Sequence, residues 1–470
     1  MSDLSRRDFL KKGAASGVAL TALGSLSNLS AFASSHLPTV GWDAPTPMVD
    51  RITADQWVPP EGYEQVAEMI DKPLQVFNMG GMKFDPATAE NQEAFYKRTG
   101  IKVDPIEVPS PVALPKETTA LSSRSPQPVL MQASAELYLG FIEPGWLEPT
   151  CELWNDDVFE HFSKSWKNDF QTDVDSTRDV NCVYGTCAID ELQMVHWRKD
   201  LLREAGLDPM DYYRPTWDDI MEIGEALEGT DRFVFSVNGQ PARYAPQSFI
   251  PAVYAQGGSL WEDGNLVFNS DVGVAALEFL VTLVEKGYMP SPGTTDQSDV
   301  SQNFLAGKSV GAFHGTKLMA QAYEELNPAD YLMALPFKAN QGPDPQPANL
   351  EFPDMLTINT FAPEERKLAA KIYADFRRSR EAQVREFLLE TNFPAIDTAF
   401  DDPEVASSKY ATHADTMKQG IKYAYSGIFP RFNAIADNLG TNLGNAFAGK
   451  VSAQEALDKA QNYVDDVLGQ

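Results

Sequence analysis

Short apolar runs bounded by Gly or Pro alternate with longer amphipathic stretches along this chain, and that alternation predicts an α/β fold with a parallel sheet. The chain is 470 residues long, which is more than one small core needs and predicts two or three lobes. Its hydrophobic fraction of 43% and charged fraction of 22% are those of a globular protein.

Residues 34–72 are rich in Pro, Asp and Glu, with Trp42 and Trp57 as isolated anchors, and read as an extended leader draped over a domain. Leu74 to Asn78 lies between Pro73 and a Met-Gly-Gly turn and reads as a first buried strand. Pro86 to Arg98 predicts a helix stopped at Gly100, followed by a strand from Ile101 to Val108. Val129 to Met131 is a third strand and Glu136 to Ile142 a helix. Strand, helix and strand in this order form parallel pairs with helical crossovers.

Leu192 to Trp197 predicts a further strand, and Asp200 to Ala205 a helix ended by Gly206. Thr216 is a natural N-cap for a helix running through Leu227, with Asp218 and Asp219 at the positive end of its dipole. Asp271 to Lys286 is amphipathic, with Val274, Leu277, Leu280, Val281 and Val284 on one side. Ser309 to Phe313 is a short strand, and Glu364 to Phe376 and Glu381 to Leu389 are helices. The chain ends in helices from Ala434 to Phe447 and from Ser452 to Leu468, with Ser452 and Glu455 spaced as a capping box.

The first residues carry a separate message. Ser5-Arg6-Arg7-Asp8-Phe9-Leu10-Lys11-Lys12 precedes a mildly apolar segment, Gly13 to Phe32, closed by Ala31-Phe32-Ala33. This reads as a twin-arginine export signal, residues 1–33, cleaved near Ala33. The serines and glycines of the segment make it too weakly apolar for a spanning helix. A soluble periplasmic protein follows. The net charge of −29 becomes −31 once the signal is removed, and so acidic a surface repels nucleic acid and anionic lipid. Among three cysteines, Cys182 and Cys187 stand close enough for a short-loop disulfide in an oxidising compartment. Five scattered histidines show no metal-ligand spacing, so neither a metal nor a cofactor is expected.

Five segments together resemble the extracellular solute-binding proteins of carbohydrate ABC importers, the maltose-binding-protein-like group. They are Phe95 to Val103, Phe141 to Pro149, Trp197 to Asp208 with Pro215 to Ile220, Phe304 to Gly311, and Gly449 to Ala460. The resemblance spans roughly residues 73–470. It implies a two-lobed periplasmic-binding-protein fold, type II-like, with the ligand cleft between the lobes. Residues 73–190 with 355–397 form the first lobe and 195–350 with 400–470 the second, joined by crossing strands near 189–194, 350–357 and 396–400. The leader is a departure from the family pattern, as is Pro128-Val129 where many relatives carry an aspartate.

A sugar offers hydroxyls at its edges and apolar C–H faces, so its site wants aromatic platforms with Asp, Glu, Asn, Arg and Lys at the rim. Asn78 and Lys83 follow the first strand; Lys83 reads equally as a solvated lysine. Glu136 and Tyr138 fall where the resemblance places ligand contacts, although Glu136 also suits a helix start. Tyr184 lies near the first crossing, and Asp190 and Glu191 beside it. In the second lobe the candidates are Trp261, His314, Lys317, Phe429 and Arg431, and Glu351 and Asp354 precede the second crossing. Trp261 reads as a platform or as core. The resemblance places Trp in many relatives where this chain has Thr316 or Lys317, and a lysine there leans toward an acidic or phosphorylated ligand.

The expected function is capture of a sugar or related polyhydroxyl solute, without catalysis, and its delivery to a membrane ABC permease by lobe closure. A monomer is expected, with the twin-arginine translocase as a transient partner during export. Two alternatives stay open. One is an exported carbohydrate-active enzyme using paired carboxylates, since 67 acidic residues do not exclude it. The other is a binding protein for a polyamine, metal ion or phosphate ester. No G-x-S-x-G, H-E-x-x-H, C-x-x-C-H or phosphate-loop pattern occurs.

Overall fold

The computed structural model describes residues 37–79, 86–108, 110–142, 144–162, 171–172, 182–240 and 242–469. The export segment 1–33 and Lys83 lie outside the described residues. The strands that position the groove are, in chain order, β1 (Leu74–Met79), β2 (Val103–Val108), β3 (Leu130–Ser134), β4 (Thr186–Ile189), β5 (Gln193–Arg198), β6 (Phe233–Ser236), β7 (Ser309–Gly315), β8 (Tyr331–Ala334), β9 (Asn349–Glu351), β10 (Asp354–Ile358) and β11 (Ala424–Ser426).

The first sheet has the order β2-β1-β3-β10-β4. β1 runs parallel to β2 and β3, pairing Leu74 with Val103 and Val76 with Leu130. β10 returns antiparallel between β3 and β4, placing Leu356 opposite Gln132 and Thr186. The second sheet has the order β8-β5-β7-β6. There β5 is antiparallel to β7 and β8, while β6 and β7 are parallel. The molecule is therefore α/β with two main sheets, each covered by helices.

Each sheet buries its own apolar face. Val76, Leu130, Phe95 and Phe376 belong to the first core; Trp197, Phe235, Leu439 and Leu457 belong to the second. The other face of the second sheet, with Met194, Ala312 and Met333, joins the first core. Two crossings meet as neighbours between the lobes. The Glu191 amide donates to the Phe352 carbonyl at 3.2 Å and the Phe352 amide to the Glu191 carbonyl at 2.8 Å. A third connection, residues 391–397, lies beside them, with the Asp190 amide donating to the Phe393 carbonyl at 3.2 Å.

Residues 37–72 pack on the first lobe through two short helices, Met48–Thr53 and Tyr63–Met69. Their anchor is Trp57, fully buried against Phe376 and Phe95 with ring centroids 5.3 and 6.1 Å away. Among the described residues no helix is long and apolar enough to cross a membrane.

The cysteines differ from expectation. Cys151 is disulfide-bonded, and Cys187 is a free, buried thiol that donates to the Ile189 carbonyl at 3.2 Å. The pairing of Cys182 with Cys187 is therefore not made; the side chain of Cys182 itself lies outside the description. The reason is topological. Cys187 sits on β4 inside the first core, with the turn at Gly185 (φ +98°) leading into it. That turn also brings residue 150 against residue 183, where the Thr150 amide donates to the Val183 carbonyl at 2.9 Å.

Candidate functional site

In an α/β fold a ligand usually sits at strand ends, and the candidate groove is where strand ends from both sheets meet the crossings. On the first lobe, β3 ends at Ser134 and a helix, Ala135–Ile142, follows at once. The Ala135 amide donates to the Pro353 carbonyl at 2.8 Å, pinning this helix start to the second crossing. Glu136, in the helix's first turn and buried, accepts a 2.5 Å hydrogen bond from the Ser134 hydroxyl. Its carboxylate suits the positive end of the helix dipole.

The crossings supply further acids. Asp190 and Glu351 are fully buried, and Asp354 and Glu191 are half-buried. A Cβ added to Gly315 would lie 3.5 Å from a carboxylate oxygen of Glu191, so that acid stands against the end of β7. Burial, then the neighbouring Glu351, push the Asp190 carboxyl well above its ordinary range.

On the second lobe, three amides converge. β5 begins at Gln193, opposite Gly315 at the end of β7. β6 runs parallel to β7 and ends at Ser236, delivering Asn238 to the same edge. The helix Pro246–Ala255 begins here too, its proline at the first turn where no amide donor is needed. Gln247 Oε1 accepts from Gln193 Nε2 at 3.3 Å and from Asn238 Nδ2 at 3.0 Å. Gln193 is 7% exposed, and its Oε1 receives no donor from the described protein. A buried amide oxygen in that condition costs stability until a hydroxyl or water reaches it.

A model of the bacterial extracellular solute-binding protein family matches residues 92–413, well over half of the chain. The chain belongs to that family. Among solved structures, a maltose-bound protein of T. maritima is similar at TM-score 0.72 and 18% identity, covering 84% of this chain and 99% of the other. The sugar-binding protein MalE of the phytopathogen Xanthomonas citri gives 0.69 and 19%, covering 85% and 98%. A solute-binding protein of Agrobacterium vitis S4 with bound D-mannitol gives 0.67 and 19%, covering 84% and 98%. These likenesses establish the two-lobed fold. The family and these neighbours are binding proteins, and membership makes this an exported protein.

The structure of this solute-binding protein brings only part of the expected residue set together. Glu136, Glu351 and Asp354 cluster at the crossings. Asn78 lies half-buried one residue before the end of β1, Lys317 opens the helix Lys317–Glu325, and Arg431 is exposed ahead of the helix Phe432–Phe447. That last helix meets the helix Ala135–Ile142 of the first lobe. Tyr138 is instead fully buried beneath the groove, its hydroxyl donating to Glu117 Oε1 at 3.2 Å. Tyr184 packs on the first core at the end of β4 remote from Asp190. Phe429 lies in the second core, 4.8 Å from Phe432 and 5.7 Å from Phe268 between ring centroids.

Trp261 packs on the second core in a hairpin beyond the far end of the helix Pro246–Ala255, which rises about 12 Å from Gln247. His314 is buried, with Nδ1 donating to the Gly315 carbonyl at 3.1 Å and Nε2 accepting from Ser301 at 3.3 Å. Burial lowers its pKa, so it serves as a neutral brace under the β7 end. Sequence reading passed over Gln193, Asn238 and Gln247. They are 45 and 9 residues apart in sequence and carry no spacing signal; only the strand Phe233–Ser236, had it been recognised, would have pointed to Asn238.

Proposed function

We propose that this solute-binding protein captures a neutral polyhydroxyl compound, a sugar or polyol, and hands it unchanged to a membrane ABC permease. The observation that carries this reading is the amide trio on the second-lobe edge, with Glu191 of the first crossing beside the same edge at Gly315. Amides both donate and accept, as hydroxyls do, and a carboxylate accepts from two hydroxyls at once. Gln193 Oε1, buried without a donor, is the acceptor that a ligand hydroxyl satisfies. The maltose and D-mannitol held by similar folds are of this chemical class.

The test is a thermal-shift and calorimetric screen of the mature protein against maltose, D-mannitol, ribitol and a wider panel of mono- and oligosaccharides. A binder raises the melting temperature and is recovered intact. Gln193→Leu is expected to weaken binding roughly 10- to 100-fold, the cost of about 1–3 kcal/mol for a lost buried hydrogen bond, with ligand-free stability unchanged or raised. A panel without a binder, or recovery of a cleaved sugar, overturns the reading.

The same proposal places the protein in the periplasm as a monomer, exported by the twin-arginine translocase through Arg6 and Arg7 and cleaved near Ala33. Replacing both arginines by lysine is expected to strand the precursor in the cytoplasm. Normal export of that variant, read by fractionation, refutes the route.

A further inference from the structure

The helix Arg380–Glu390 of the first lobe ends at Thr391, whose amide donates to the Phe387 carbonyl at 2.9 Å. Thr391 stands in the left-handed region, with φ +56° and ψ +23°. At a helix end that conformation suits Gly or Asn, and a β-branched residue held in it is strained. Capping alone therefore gives no reason for a threonine here.

A reason lies across the seam between the lobes. Thr391 is fully buried, and its hydroxyl donates to the Thr316 carbonyl at 3.1 Å. Thr316 directly follows β7, whose last residue, Gly315, pairs with Gln193 and lies against Glu191. The bond thus joins a first-lobe helix end to the strand end that carries the second-lobe edge of the groove. Each end is fixed within its own lobe. On the first, Asn392 Nδ2 donates to Glu386 Oε2 at 2.8 Å, and Gln383 Oε1 accepts from the Ala395 amide at 2.8 Å. On the second, the Met319 amide donates to the same Thr316 carbonyl at 2.9 Å. The seam is dry, with Phe387 fully buried and its ring centroid 6.0 Å from that of Tyr410.

Strain and bond respond differently to lobe rotation. The left-handed cap belongs to the first lobe in every arrangement of the two. The hydroxyl bond lasts only while Thr316 stays within about 3.5 Å, so a shift of about half an ångström ends it. We propose that Thr391 is a positioning residue for solute capture: its hydroxyl holds the second-lobe edge of the groove against the first lobe in the arrangement described here, and gives way when the lobes part. Thr391 itself touches no solute. A solute clamped by both lobes gains affinity by the factor that this arrangement gains over the parted one. The inference rests on the solute-capture reading and adds to it a residue that sets affinity without lining the groove.

Calorimetry of maltose, D-mannitol, ribitol and the wider sugar panel against the mature protein and three variants tests it. Thr391→Val keeps the branched shape and loses the hydroxyl. Thr391→Gly loses the hydroxyl and relieves the strain. Thr391→Ser keeps the hydroxyl and loses the branch. For a solute that the wild type binds, Thr391→Val and Thr391→Gly are each expected to weaken affinity about 3- to 10-fold, the worth of one neutral hydrogen bond, while Thr391→Ser stays close to wild type. Melting temperatures report stability separately, and affinity is expected to follow the hydroxyl and not the melting temperature. Circular dichroism establishes which variants are folded, and one folded variant without the hydroxyl suffices. Wild-type affinity in such a variant overturns the inference and leaves the solute-capture reading standing, as does a Thr391→Ser protein as weak as the hydroxyl-free ones. Should neither Thr391→Val nor Thr391→Gly fold, the hydroxyl serves the fold itself and the inference falls. A panel from which the wild type binds nothing overturns both.

Discussion

At Glu117, burial and a hydrogen bond pull in opposite directions, and burial wins. The carboxyl is 1% exposed, and desolvation pushes its pKa up to about 8 against the lowering effect of the Tyr138 hydroxyl. Once unfolded it returns to an ordinary carboxylate value near ~4.3. Between those two values the folded protein keeps a proton that the unfolded chain gives up. Its contribution to stability is therefore fully present below about pH 4 and is lost as pH rises toward about pH 8. Glu117→Gln keeps the shape and the bond to Tyr138 while removing the titration. It is expected to stabilise the protein by roughly 3–4 kcal/mol at neutral pH and to do nothing near pH 4. Chemical denaturation at both pH values measures this; equal effects at the two would show that the carboxyl does not titrate as its burial dictates.

The leader and its seat show how far elements were legible. Arg51 donates to Asp375 at 2.7 Å and to the Trp42 carbonyl at 2.7 Å, and Trp57 Nε1 donates to the same carboxylate at 2.9 Å. Desolvation would raise Asp375, but Arg378 and Arg51 hold it below the usual carboxylate value. Removing the ring by Trp57→Ala opens a cavity in the first core and is expected to cost about 3–5 kcal/mol. The leader then becomes the first site of limited proteolysis while the groove residues stay in place; a variant as stable and protease-resistant as wild type would refute this anchoring. The two tryptophans made the leader conspicuous within a stretch rich in Pro, Asp and Glu. The helices Asp271–Glu285 and Glu364–Arg377 were equally legible, since a long apolar stripe leaves one periodicity to read. Ser110–Ser122 and Pro246–Ala255 were not, because Pro115 and Pro251 look like breakers while tertiary contacts carry the helix past them. Missing those elements hid the second-lobe edge of the groove, where Gln247 and Asn238 meet Gln193. Carboxylates and aromatics advertise a site by type, whereas amides announce nothing until folding brings them together.

For the whole molecule, two kinds of charge respond to acid in opposite ways. The chain carries a net charge of −29, and repulsion among surface carboxylates weakens as they protonate or as salt screens them. The buried histidines behave otherwise. His196 donates from Nε2 to the His314 carbonyl at 3.1 Å and accepts from the Tyr331 hydroxyl at 2.7 Å, a neutral-imidazole arrangement. Burial first, then His314, lower its pKa to about 3, and burial, then Lys199, lower His413 to about 4. Both take up protons near pH ~6.5 only when unfolded, so stability present above that pH is lost as pH falls toward about 4. Salt separates the two effects, because screening reaches exposed charges and hardly touches buried ones. Raising sodium chloride from about 20 mM to about 500 mM is expected to raise the melting temperature at pH ~7.5, while the loss between pH ~6.5 and ~4 persists at both salt levels. His413→Gln is expected to make that acid limb shallower by the uptake of one proton. An acid limb that disappears in high salt would assign it to the surface instead and place the titrating groups outside the two cores.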